Sequence, residues 1–197
     1  MSVIILQLNP FLKVGGFVNK TLETLQSDIS KEAKKGYPIL QAGSIVFLIF
    51  AFLPLLFPMN IVYLIWIFGL GAIFPFGILL GKLYGVDLLK TGNPLGTLGG
   101  IVGGTQAFFI PVFIIVYMHI PSYIPFTIGL LGGAHFLPYM WIYRSKAYLF
   151  VTLGVCFSSL LLGSVWIDYA FTLVPIAICL IYAIAVLLIW RELKAEA

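Results

Sequence analysis

The chain has 197 residues, of which 61% are hydrophobic and only 9% charged, and it carries a net charge of +4. Such a composition fits a single membrane domain and excludes an ordinary soluble enzyme fold. The positive surplus has no basic stripe with interleaved exposed aromatics, so it is topological and no nucleic acid is expected as a partner.

In chain order, the first apolar run, Val3–Leu8, is short, follows no basic residue and breaks at Asn9-Pro10. A cleavable leader is therefore not expected, and the first true span should serve as the insertion signal. Residues 1–36 form the one sizeable polar segment. Within it Val18, Leu22, Leu25 and Ile29 recur at helical spacing, with Asn19 or Thr21 as cap and Gly36 with Pro38 as stop. This predicts a short amphipathic helix. It would lie on the inner leaflet or dock on a protein partner or a second copy.

Three uncharged blocks follow, 36–81, 91–143 and 147–190, interrupted by a single charge, Asp168. A span needs about 20 apolar residues, so each block has room for a helical hairpin. The pattern predicts an all-α bundle of six transmembrane helices. The spans run near 37–57, 61–80, 96–119, 123–143, 147–166 and 169–190. Three domains of organisation result: 1–36 as a cytoplasmic segment, 37–190 as the membrane domain and 191–197 as a cytoplasmic tail. Every Lys and Arg falls outside the blocks, which by the positive-inside rule puts both termini and the inter-hairpin loops in the cytoplasm of a multi-pass cell-membrane protein.

Glycines at four-residue spacing, Gly96/Gly100, Gly99/Gly103 and Gly100/Gly104 on span 3 and Gly129/Gly133 on span 4, predict close helix packing. Pro75, Pro111, Pro138 and Pro175 interrupt four spans, and each leaves a carbonyl without its partner. Echoes between Lys35-Gly36-Tyr37 and Lys146-Ala147-Tyr148 suggest either an old duplication or the shared grammar of helices leaving an inner leaflet. Cys156 and Cys179 fall mid-span without redox spacing and are expected as buried thiols.

The chief polar pair is Gln106 and His135. Each lies some turns in from the cytoplasmic end of its span, at about 10 Å depth, on spans expected to be neighbours. They read as an interhelical hydrogen bond or, with Thr105 and Tyr139 and with Thr152 or Ser158 beside them, as a ligand site. No carboxylate sits mid-membrane, no catalytic set is evident, and no metal or cofactor is expected.

Gly132-Gly133-Ala134-His135-Phe136-Leu137-Pro138-Tyr139, continuing Trp141-Ile142-Tyr143-Arg144-Ser145-Lys146-Ala147-Tyr148, resembles the signature segment of a family of small bacterial multi-span membrane proteins of unknown function. Lys34-Lys35-Gly36-Tyr37-Pro38 and Asn93-Pro94 are similar too. The resemblance covers the chain from about residue 30 and implies a bacterial cytoplasmic membrane, with no activity. Three functional readings stay open at this point. The chain binds or passes a small neutral or amphipathic solute through a kinked bundle, it is a scaffold or accessory subunit, or it is a lipid-active enzyme with His135 as base.

Overall fold

The structure, a computed structural model, describes residues 20–88 and 92–196. The run Val3–Leu8, Val18 and the loop residues Lys90 and Thr91 lie outside the described residues. Ten α-helices follow in order: α1 Leu22–Glu32, α2 Tyr37–Leu56, α3 Met59–Gly69, α4 Ile73–Leu83, α5 Pro94–Gly104, α6 Ile110–His119, α7 Ile124–Ala134, α8 Leu137–Ile142, α9 Lys146–Ser164 and α10 Ala170–Ala195. No strand occurs among the described residues.

Five helical segments are long and apolar enough to cross a membrane: Lys34–Leu56, Met59–Leu83, Pro94–His119, Lys146–Ser164 and Ile167–Ala195. The stretch expected as a further crossing consists of two shorter helices, α7 and α8, with His135 and Phe136 between them, and is not among the five. End to end, Ile124–Ile142 matches Lys146–Ser164 in length.

The breaks have a common cause. Short 3-10 stretches at Leu70–Ala72 and Thr105–Phe109, and the His135-Phe136 turn, each lie just before a proline, Pro75, Pro111 or Pro138. Proline supplies no N–H to the carbonyl four residues back, and the preceding turn tightens to i→i+3 bonding instead. α10 runs unbroken through Pro175 for 26 residues.

α2, α7, α9 and α10 form the packed centre, with α4 laid against α2. Lipid offers no hydrophobic gain for helix association, so close backbone approach has to hold such a bundle together. Glycines provide it. A Cβ on Gly129 would stand 2.5 Å from Ser159 Cβ, one on Gly133 2.9 Å from Cys156 Sγ, and one on Gly163 2.9 Å from Phe126 Cα. All three lock α7 onto α9. The interior combines aliphatic side chains such as Leu40, Ile128, Val155 and Ile178 with an aromatic cluster, in which Phe47, Phe50, Trp66 and Phe171 meet at ring separations of 5.2–6.3 Å.

Basic residues gather at one end, called here the basic end, where α2 and α9 begin and α4, α8 and α10 stop. Lys35 is fully buried there. Its Nζ reaches Glu192 Oε2 at 3.0 Å and Glu196 Oε1 at 2.7 Å, so it is tied to the end of α10. Three consecutive residues between α1 and α2, Lys34, Lys35 and Gly36, have φ of 44°, 51° and 69°. Left-handed backbone costs a non-glycine residue about 1–2 kcal/mol, and this turn is held by the ion pairs and by Tyr148 Oη donating to the Lys35 carbonyl at 2.6 Å.

The stripe Leu22-Leu25-Ile29 meets the chain's own bundle: Ile29 is buried and Leu25 partly buried against the core, and the polar Gln26 and Ser30 beside them are drawn in as well. Leu22 is half exposed, while Gln26, Ile29, Ser30 and Ala33 are buried against the chain's own α5 and α8. The reason is the end of α8. Its last carbonyls have no helical donor, and Gln26 Nε2 donates to Trp141 O at 2.8 Å while Ser30 Oγ donates to Tyr143 O at 3.0 Å.

A candidate lipid-facing site at Gln106 and His135

The site begins with the missing donor of Pro138. Because the turn before it tightens, Phe136 N bonds Gly133 O, at 3.1 Å, rather than Gly132 O. The Gly132 carbonyl is thereby freed, and His135 Nδ1 donates to it at 2.5 Å. That bond fixes the tautomer: Nδ1 carries the proton and Nε2 keeps its lone pair. Gln106 Nε2 lies 2.7 Å from His135 Nε2 and donates to it. The two side chains that the sequence places level with each other are in contact, as a neutral donor–acceptor pair.

Gln106 is positioned by the 3-10 stretch Thr105–Phe109, which bends its span before Pro111. Thr105 Oγ1 does not join the pair; it donates to Val102 O at 2.6 Å on its own helix. Tyr139 lies one turn from His135, with ring centroids 6.2 Å apart, and its Oη crosses to donate to Gly99 O at 2.6 Å. Gly99 and Gly103 make that crossing possible, since Cβ atoms there would stand 3.4 and 3.0 Å from the Tyr139 ring and hydroxyl. Thr152 and Ser158 bond carbonyls of their own helix, Tyr148 O and Val155 O, and stand apart from the pair.

The expected packing glycines divide in two. Gly99, Gly103, Gly129 and Gly133 meet other helices, but nothing lies within 4 Å of a Cβ built on Gly100 or Gly104. A Cβ on Gly132 of α7 would meet nothing within 4 Å either. Thr105 and Gly104 are exposed, while Gln106, His135 and Tyr139 are half-buried. The pair therefore sits at a partly exposed seam between the span 94–119 and the α7–α8 segment, called here the notch. The bundle's interior is closed beside it: Phe136 packs on Tyr182 at 5.6 Å and Tyr182 on Phe47 at 5.9 Å.

The notch's second wall extends from Tyr139, a candidate in the sequence, to two further tyrosines that the sequence does not mark as candidates for the site. Tyr139, Tyr143 and Tyr148 stack at 5.6–6.0 Å and run to the basic end, where Tyr148 meets the Lys35 turn. Gln26, Ser30, Lys35 and Glu192 join this network from distant parts of the chain. Lys35 and Tyr148 lie inside the echoed Lys35-Gly36-Tyr37 and Lys146-Ala147-Tyr148, whereas Gln26, Ser30 and Glu192 had no local signal. Among the described residues no cluster of His, Cys, Asp and Glu could hold a metal, and Cys156 and Cys179 are free thiols. A separate shallow hollow of about 340 Å³ lies at Ile78, Lys82, Gly85, Val86 and Asp87, on the basic end.

None of the curated proteins and none of the solved structures matches this chain. One family does, over residues 22–192, from the start of α1 into the last turn of α10 and so including both walls of the notch. The chain belongs to that family, DUF7010, a family of unknown function.

Proposed function

We propose that this chain is a six-span protein of the bacterial cytoplasmic membrane, with both termini inside, that binds a small amphipathic molecule of lipid type in the notch at Gln106 and His135. One observation carries the reading. A neutral hydrogen-bonding pair joins His135 to Gln106, and Gln106 lies on the least buried of the five long apolar segments, 6% of whose apolar window is buried against 44% for Lys34–Leu56. The Gln106 amide uses one N–H on His135, leaving its carbonyl and second N–H to meet a headgroup or hydroxyl. The packed aliphatic and aromatic interior favours loading from the side over passage through the bundle. That same packed interior favours the accessory-subunit reading if no lipid is held.

Two measurements test this. Lipid retained through purification and counted by native mass spectrometry should be present in the parent and in His135→Gln, and lost in His135→Leu and Gln106→Leu. Equal retention in all four, or none in the parent, overturns the binding reading. For topology, cysteines at Asn60, Ser122 and Asp168 should label from outside and those at Thr91 and Ser145 should not. Outside labelling at Ser145 would break the six-span arrangement.

A further inference from the structure

α1 touches both walls of the notch at the basic end. On one side Gln26 and Ser30 hold the last carbonyls of α8, Trp141 O and Tyr143 O. On the other, Asn93, which caps the start of α5 by accepting from Leu95 N at 2.9 Å, donates its Nδ2 to Leu25 O at 2.8 Å. The helix that begins at Asn93 carries Gly99 and leads into Gln106. The helix that ends at Tyr143 carries Tyr139 and follows His135. A single short helix therefore joins the near ends of the two elements whose separation sets the notch.

The connection of α1 to the bundle is itself a strained joint. Lys34, Lys35 and Gly36 all have positive φ. The joint is fastened from the far end of the sequence, by Glu192 and Glu196 on Lys35 Nζ and by Tyr148 on the Lys35 carbonyl. A Cβ on Gly36 would stand 3.1 Å from Tyr148 Oη and 3.3 Å from Tyr143 Oη, so the joint also bears on the tyrosine stack that ends at Tyr139. Strained backbone persists where its surroundings over-determine it, and such turns recur at moving parts.

We propose that α1 is a hinged clamp on the notch: Lys34–Gly36 is its hinge, Glu192 and Glu196 of α10 are its latch, and its release lets α5 swing away from α8. The proposal rests on the notch being the binding site, and it assigns to Gln26, Ser30 and Asn93 the role of positioning residues. Release would part Tyr139 from Gly99 and Gln106 from His135, converting a closed pair into two free polar groups facing lipid.

The test uses the full chain in lipid nanodiscs, with Cys156 and Cys179 replaced by serine and spin labels placed on exposed positions. Ile101 and Leu137 report notch width, and Ser27 with Trp141 reports the seat of α1. Two variants release the clamp from different sides: Gln26→Leu with Ser30→Ala, and Glu192→Gln with Glu196→Gln. Each should produce a longer-distance population in both label pairs. A notch distance that stays unchanged while α1 leaves its seat overturns the clamp. So does an α1 that stays seated in both variants. Should the first double variant not fold, Ser30→Ala alone carries the same comparison. Lipid retention is read separately in the unaltered protein. A notch that widens in a protein holding no lipid refutes the binding site and leaves the clamp standing.

Discussion

The α7–α9 interface and the span 94–119 are both rich in glycine, and they use it in opposite ways. At the interface Gly129, Gly133 and Gly163 each face a neighbour so close that a methyl group would collide with it. On the span, Gly99 and Gly103 make room for one crossing tyrosine, while Gly100 and Gly104 face open space. Packing supplies the cohesion between helices in lipid, so the first region is locked, while the second buries only a few side chains, chiefly Leu95 and Phe113, and adds hydrogen bonds from Gln106 to His135, Tyr139 to Gly99 and Asn93 to Leu25. A small-xxx-small pattern thus marks a surface without a Cβ. Whether that surface is an interface or an access route depends on what stands opposite.

The contrast can be broken most sharply at Gly129. Gly129→Val has no room beside Ser159, and overpacking of this kind costs about 1–3 kcal/mol or more. A large fall in melting temperature in detergent is expected, and an unchanged melting curve would show that α7 and α9 are not locked. His135→Leu comes next. It strands the Gln106 amide and the Gly132 carbonyl, for a loss of about 1–3 kcal/mol, at the lower end because the amide is half-buried. His135→Gln should recover most of the loss, since an amide both donates and accepts. The smallest effect is expected at Gly104→Ala, which meets nothing and replaces a helix-weakening residue. A change of no more than about 1 kcal/mol, in the stabilising direction, is expected from the same melts. A marked loss there would mean that the open face is covered.

Much of this was readable from residues alone. Charge-free blocks bounded by Lys and Arg located the apolar segments, and counting turns from their basic ends put Gln106 and His135 at one level. Pro138 announced a disturbed turn. It could not announce which carbonyl would be freed, because that depends on Phe136 N choosing Gly133 over Gly132. What α1 docks on was hidden for a different reason. Its apolar stripe is a local signal, but the carbonyls that capture Gln26 and Ser30 lie 115 and 113 residues away. Lys35 is the clearest such case. Beside Lys34 it looks like a headgroup lysine, and only the return of α10 brings Glu192, 157 residues on, to bury it. Long-range pairing of polar groups leaves no period in a sequence.

The most direct test of the lipid-facing site is photo-crosslinking with a diazirine-bearing phospholipid in native-like membranes, with the adducts mapped by peptide mass spectrometry. Adducts should concentrate on residues 99–109 and 132–139 in the parent, compete away with unlabelled lipid, and disappear from those stretches in Gln106→Leu. Labelling spread evenly over every exposed apolar face, without competition and unchanged in Gln106→Leu, would contradict the account.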